Sequence, residues 1–324
     1  MGVRTFFVAL LIAGCSTNAP PTRGHIVVAV TIDWEGVLLE PEAFAAVEQL
    51  RAQLREVPLT HFVSAAYFTK LHPDPTLRAA LVKAVHSGDE LAVHLHAWRS
   101  LAAAAGITPK TSPSFFSGTD ALLDVDDNDV GFDTDPDVYS VPELRELLRT
   151  SRRLLEQTGI PVSKSFRAGG YLGTPKVLQA IADEGYLVDS SAIEFRKLDT
   201  GDPDDVLRER VAQIWPRIDR TTQPYTIAVT GHELLELPIA AVADYATALD
   251  VVHAFEMAHA RLITAPSRDV FVVLGFHLET ATDFVARISE AMAKVQANAE
   301  LVRDVEFVTI ERAATRARAG LSAR

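Results

Sequence analysis

The chain has 324 residues, 48% of them hydrophobic, with 31 basic against 43 acidic side chains and a formal net charge of −12. That length suits one large domain or two small ones, and the apolar content supplies a core, so disorder of the whole chain is excluded. The acidic balance and the lack of a basic stripe argue against a nucleic-acid protein. A single cysteine excludes an intramolecular disulfide framework and a cysteine-cluster metal site, so any metal must be held by His, Asp and Glu.

The chain opens with one positive charge, Arg4, then an apolar run Phe6–Ile12, then Ala13, Gly14 and Cys15. Such a run is too short to span a bilayer, which takes about 20 apolar residues, and its layout is that of an export signal. The Ile-Ala-Gly-Cys tail is similar to a bacterial lipobox. That implies a signal peptide over residues 1–14, lipidation of Cys15, and a chain held on the membrane facing outside the cytoplasm. An ordinary signal peptide with an incidental cysteine is the alternative. Residues 15–24 are small, polar and Pro-rich, a tether, and the folded domain is expected over residues 25–324.

Strands and helices then alternate. Strands are predicted at 25–33, 60–66, 90–96, 163–167, 187–190, 234–238, 270–276 and 305–310. Helices are predicted at 41–56, 75–86, 141–157, 174–184, 245–263 and 282–299. Continuous apolar strands separated by helices indicate a parallel sheet covered on both faces, and about eight units fit a single distorted β/α barrel. Residues 97–138 and 195–231 read as irregular, and both follow strands, where barrel sites are built. Asp124–Asp137 has its Gly out of register for an EF-hand and reads as a solvated acidic loop, with an irregular calcium site as the alternative.

The reactive side chains fall where predicted strands end. Asp33 and Glu35 close the first strand, in TIDWEG, and two-residue spacing sends both carboxylates to one side. Side by side, they cannot both ionise cheaply without a cation between them. His94 and His96, in VHLHAW, repeat that spacing with imidazoles, as a divalent-metal pair requires. Trp98 is a candidate wall of the site or a plain core aromatic. Arg167, in FRAGGY, is placed to hold a carboxylate charged and oriented through a bidentate pair, and Gly169-Gly170 permits close approach of substrate. His277, in LGFH, has the pKa range of a proton donor to a leaving group. His61, His72, His86, His253 and His259 have no motif neighbour and read as structural.

In order, TIDWEG, HLHAW, FRAGGY, LLELP and LGFH resemble the motif series of NodB-type polysaccharide deacetylases, carbohydrate esterase family four, over about residues 25–280. The match is to a divergent branch with HxH followed by Trp, and the family's arginine motif here lacks its proline. The resemblance implies a distorted (β/α)7-8 barrel. It also implies one divalent metal, most often zinc, held by Glu35, His94 and His96 and lowering the pKa of a water. Asp33 would act as base, oriented by Arg167. His277 would act as acid, and the Tyr171 backbone N–H would assist the oxyanion, with Gly170 beside it. The implied substrate is a surface or exported glycan carrying N-acetyl, or less favourably O-acetyl, groups. Two readings stand beside it: a metal amidase on a non-sugar substrate, and a glycan-binding barrel without chemistry. No GxSxG elbow supports a serine esterase.

Overall fold

Nine consecutive buried residues, Ile26–Trp34, form the central strand β1 of the computed structural model. The structure describes residues 23–37, 39–54, 57–119, 129–198 and 206–322. Cys15 and Asp124–Asn128 therefore lie outside the described residues. The other strands are β2 (Leu59–Ser64), β3 (Glu90–Leu95), β4 (Val162–Ala168), β5 (Val188–Asp189), β6 (Tyr225–Val229), β7 (His232–Glu236), β8 (Ile239–Val242), β9 (Val270–His277) and β10 (Val305–Phe307). The helices are α1 (Pro41–Leu54), α2 (Leu77–Ala84), α3 (Arg99–Ala104), α4 (Val141–Glu156), α5 (Pro175–Asp183), α6 (Val206–Ile214), α7 (Ala248–Thr264), α8 (Ala281–Ala297), α9 (Ala299–Val302) and α10 (Ile310–Ser322).

One sheet runs β6-β7-β5-β4-β3-β2-β1-β9-β8, with β10 also on β1. Every pairing is parallel except β6–β7. The two ends of the path are neighbours in sequence. β7 pairs with β5 and β8 pairs with β9, while only Leu237 and Pro238 separate β7 from β8. An isolated parallel bridge, Ile193 to Ile239, lies at the same closure. The sheet thus curls toward a distorted α/β barrel. Proline cannot donate to a ladder, so the predicted 234–238 strand breaks at Pro238 and the chain changes partner there.

Helices cover the outside through their apolar faces. α4 begins with a capping box, Ser140 and Glu143 each satisfying the other's backbone, and buries Leu144, Leu147, Leu148 and Leu155. Each such leucine removed from water stabilises the fold by about 1.5–3 kcal/mol. Four local expectations change. The segment 97–138 contains α3, and the segment 195–231 contains α6 and β6. The last strand stops at Phe307. Helix α10 follows it, burying Ile310, Ala313, Ala314 and Ala317, a stripe of small residues that gives little hydrophobic contrast. His61 is structural, as expected, but not without partners: it is fully buried and accepts from Trp34 Nε1 at 3.2 Å, with Arg51 Nη2 3.1 Å away.

Candidate metal centre and active site

Parallel register carries the reactive residues to one end of the sheet. Asp33 on β1 lies opposite His277 on β9, and His94 on β3 lies opposite Arg167 on β4. These are the C-terminal ends of the strands, where barrel sites are built.

Glu35, His94 and His96 each offer one ligand atom, all within 4.8 Å of one another. His94 Nε2 is 3.2 Å from Glu35 Oε1 and 3.2 Å from His96 Nε2, and His96 Nε2 also contacts Glu35 Oε2. Donors about 2.0–2.1 Å from a tetrahedral ion stand roughly 3.3 Å apart, so the spacing fits one. The outer nitrogens fix the tautomers. His94 Nδ1 lies 3.0 Å from the Arg167 carbonyl and His96 Nδ1 lies 2.7 Å from the Phe132 carbonyl. A carbonyl only accepts, so each Nδ1 carries the proton and each Nε2 presents a lone pair inward. Two inward lone pairs beside a carboxylate call for a cation. The donor set fits a divalent metal.

Local backbone explains the FRAGGY sequence. An added Cβ at Gly169 would stand 2.6 Å from the His96 ring. Gly170 has φ 57° and Tyr171, without glycine's freedom, φ 62°. The Trp215 indole donates to the Tyr171 carbonyl at 2.9 Å and helps hold that turn.

Arg167 is completely buried and donates from Nη1 to Asp33 Oδ1 at 2.7 Å. The pair is not bidentate, as the sequence suggested. Nη1 also donates to Thr31 Oγ1, and Nε and Nη2 take the carbonyl and hydroxyl of Ser190. Four acceptors, at the ends of β1 and β5, leave only one nitrogen for Asp33. The guanidinium also lies 4.3 Å over the Phe62 ring.

His277 brings a residue that the sequence did not flag. Its Nδ1 lies 3.0 Å from Asp244 Oδ1, and its backbone N–H donates to Asp244 Oδ2 at 3.3 Å. Its Nε2 faces inward, 3.3 Å from the Tyr171 hydroxyl and 3.4 Å from Glu35 Oε1. Burial disfavours the imidazolium, but the Asp244 carboxylate outweighs it and lifts His277 to about 10. Burial also raises the Tyr171 phenol well above its usual value, so it stays a donor.

Glu279 is a second residue missed. Its Oε1 accepts from the Glu35 N–H at 2.9 Å and from the Tyr67 hydroxyl, while Oε2 has no partner. Burial, then the Glu35 charge, pushes its carboxyl up to about 8. In the LLELP segment, Glu236 is buried beside Asp189 in the β5–β7 register.

Asp33, Glu35, His94, His96, Gly170, Tyr171, Asp244, His277 and Glu279 share one cavity of about 460 Å³. Trp98 does not line it. That ring is fully buried and donates from Nε1 to the Glu35 carbonyl at 3.0 Å, with the Lys70 ammonium 3.0 Å from its centroid. Trp98 thus holds the Glu35 backbone from outside the cavity. The described part of the acidic loop is not solvated either: Asp129, Asp133 and Asp135 are buried. Asp129 pairs with Lys70 at 3.2 Å, Asp133 accepts from Ser114, and Asp135 accepts from Arg210 at 2.6 Å. The loop folds inward as a roof and brings Phe132 over His96, the rings stacked at 4.5 Å.

Compared with solved structures, the chain is similar to a putative polysaccharide deacetylase from Mycobacterium smegmatis, 20% identical over 93% of each chain, with a TM-score of 0.52. The chain has the polysaccharide deacetylase fold. More distant are Puue allantoinase (16% identity, 97% and 98% coverage, TM-score 0.48) and a probable polysaccharide deacetylase from Pseudomonas aeruginosa PAO1 (16%, 92% and 94%, 0.47). No family model and no curated protein matches the sequence.

Proposed function

We propose that this chain is a metal-dependent hydrolase that deacylates an acetylated surface or exported glycan, at amides in preference to esters. The observation that carries this reading is the pair of buried imidazoles. Carbonyls hold their Nδ1–H groups, and their Nε2 atoms converge on Glu35. Zinc or a similar divalent ion bound by Glu35, His94 and His96 would polarise the scissile carbonyl and acidify water.

The chain's own residues supply the proton transfers. Asp33, fixed by Arg167, takes a proton from the attacking water. The water oxygen joins the acyl carbon and the C–N bond breaks. His277, held at Nδ1 by Asp244, donates from Nε2 to the leaving nitrogen. The Tyr171 hydroxyl, 3.3 Å from His277 Nε2, is available as a donor to the developing oxyanion, and the family resemblance adds the Tyr171 backbone N–H. A complete base, ligand and acid set weighs against a barrel that only binds glycan.

The test is metal content and turnover together. The full chain, purified without chelator, should carry about one equivalent of a divalent ion, lost in a His94→Ala/His96→Ala variant. Asp33→Asn should slow acetate release from acetylated glycans by about 10²–10⁴-fold. No bound metal after reconstitution with zinc, cobalt and nickel would overturn the reading.

We also propose that Cys15 is lipidated and holds the chain on the outer face of the cell membrane, supported by the lipobox-like tail. Chain grown in a bacterial host with radiolabelled fatty acid should take up label, and Cys15→Ser should not. Equal labelling of both would refute the anchor.

A further inference from the structure

Asp189 and Glu236 are fully buried and end β5 and β7 opposite one another in register. Each carboxyl has one oxygen occupied. Asp189 Oδ1 accepts from the Ser191 hydroxyl at 2.6 Å, and Glu236 Oε1 accepts from the Ala192 N–H at 2.9 Å. The other oxygen of each, Asp189 Oδ2 and Glu236 Oε2, has no donor among the described residues. Yet the two carboxyls are within hydrogen-bond reach of one another. Two buried carboxylates in contact cannot both be cheaply ionised. The Arg167 charge acts on both, but its N–H groups are bonded to Ser190, Thr31 and Asp33. One proton, carried by Glu236 and donated to Asp189, satisfies both free oxygens at once.

The segment these carboxyls hold is the seat of Arg167. Ser190 gives its carbonyl to Arg167 Nε at 2.7 Å and its hydroxyl oxygen to Nη2 at 3.0 Å. That hydroxyl donates to the Leu237 carbonyl at 2.8 Å, and the Leu237 N–H returns to the Asp189 carbonyl at 2.9 Å. Ser191 Oγ also accepts the Ala168 N–H at 2.9 Å, one residue past Arg167. Residues 189 to 192 and 236 to 237 are thus tied together around one serine. None of these side chains lines the cavity, so the cluster reaches substrate only through Arg167 and Asp33.

We infer that Asp189 and Glu236 share one proton between their free oxygens and are positioning residues that, through Ser190, hold Arg167 on Asp33. The inference rests on the hydrolase reading for the role of Asp33; the proton and the seat stand apart from it.

The experiment uses the full chain and two changes at one position. Glu236→Gln keeps a donor toward Asp189 and an acceptor for Ala192, while Glu236→Leu keeps volume and neither bond. Hydrogen exchange of the Arg167 Nε–H, followed by side-chain ¹⁵N NMR and assigned with Arg167→Lys, reads the seat without turnover. Exchange should be slow in the parent and in Glu236→Gln, and faster by about tenfold or more in Glu236→Leu. Infrared difference between the parent and Glu236→Gln at about pH 7 should show the loss of a protonated carboxyl. In acetate release, Glu236→Leu should lower kcat by about 10–10²-fold with KM within about twofold, and Glu236→Gln should restore it. In the Arg167→Lys background, which lacks the fork to Ser190, Glu236→Leu should add less than about twofold. An unchanged infrared carboxyl, an Arg167 displaced in near-isosteric Glu236→Gln, equal exchange in Glu236→Leu, or additive losses would each overturn the inference. A parent without turnover would overturn the hydrolase reading beneath it, while exchange and infrared still decide the seat.

Discussion

Asp244 gives His277 its charge. Burial works toward the neutral imidazole, and Asp244 is the largest of the carboxylate influences that oppose it, ahead of Glu35 and Asp33. The sign is direct: a raised histidine pKa keeps the imidazole protonated up to alkaline pH, and removing the partner lowers it. Asp244→Asn should therefore move the alkaline limb of the pH–rate profile to lower pH and reduce kcat, read from turnover between pH 6 and 10.5. An unmoved limb would show that His277 is not the proton donor. Asp33, Glu35, His94, His96, Arg167 and His277 were legible because each ends an apolar strand, and strand ends converge in a barrel. Asp244 was not, because it sits in a turn after the four-residue β8, where nothing in the spacing distinguishes it from a surface acid. Its one signal was the apolar run IAAVA that leads into it. Glu279 gave still less, since its role comes from the Glu35 backbone 244 positions away.

The roof loop is an element held by side chains rather than by regular structure. Lys70 and Asp129 are nearly completely buried, and Lys70 also covers the Trp98 ring beneath Glu35. Removing Lys70 takes from buried Asp129 its nearer cation, leaving Arg99 at 3.9 Å, so Lys70→Met should destabilise the chain by about 3 kcal/mol. Urea unfolding measures this, and the double change Lys70→Met/Asp129→Leu should recover much of the loss. Additive losses would mean that the pair is not coupled. The sequence read this loop as solvated because each acid lacks a nearby cation. Lys70 is 59 positions from Asp129 and Arg210 is 75 from Asp135. Helix α4, by contrast, was plain from its Ser140–Glu143 cap and its leucine stripe, both local signals.

Over the whole molecule, parallel alternation was legible but closure was not, since it depends on Pro238 sending one segment to both ends of the sheet. Near that closure lie Asp189, which burial pushes up to about 6, and Glu236, which burial and then Asp189 raise well above the usual range. Raised carboxyls bind protons more tightly when folded, so their stabilisation is full below the unfolded values of about 4. It fades as pH rises through the folded ones. The unfolding temperature of the metal-free chain should fall between pH 5 and pH 8, and Glu236→Gln should flatten that slope. An equal slope in the variant would remove this pair as its cause.

The strand polarity of β1 has a consequence for access. The described chain begins at Arg23, pinned to Asp304, and His25 receives the Val270 N–H at the starting ends of β1 and β9. Asp33 and His277 lie at the finishing ends of those same strands. Eight steps of parallel strand, Ile26 to Trp34, rise roughly 26 Å. The N-terminal attachment of the described chain and the reacting groups therefore stand at opposite ends of the strands, so a fusion or surface linkage made ahead of Arg23 would leave the mouth of the cavity clear.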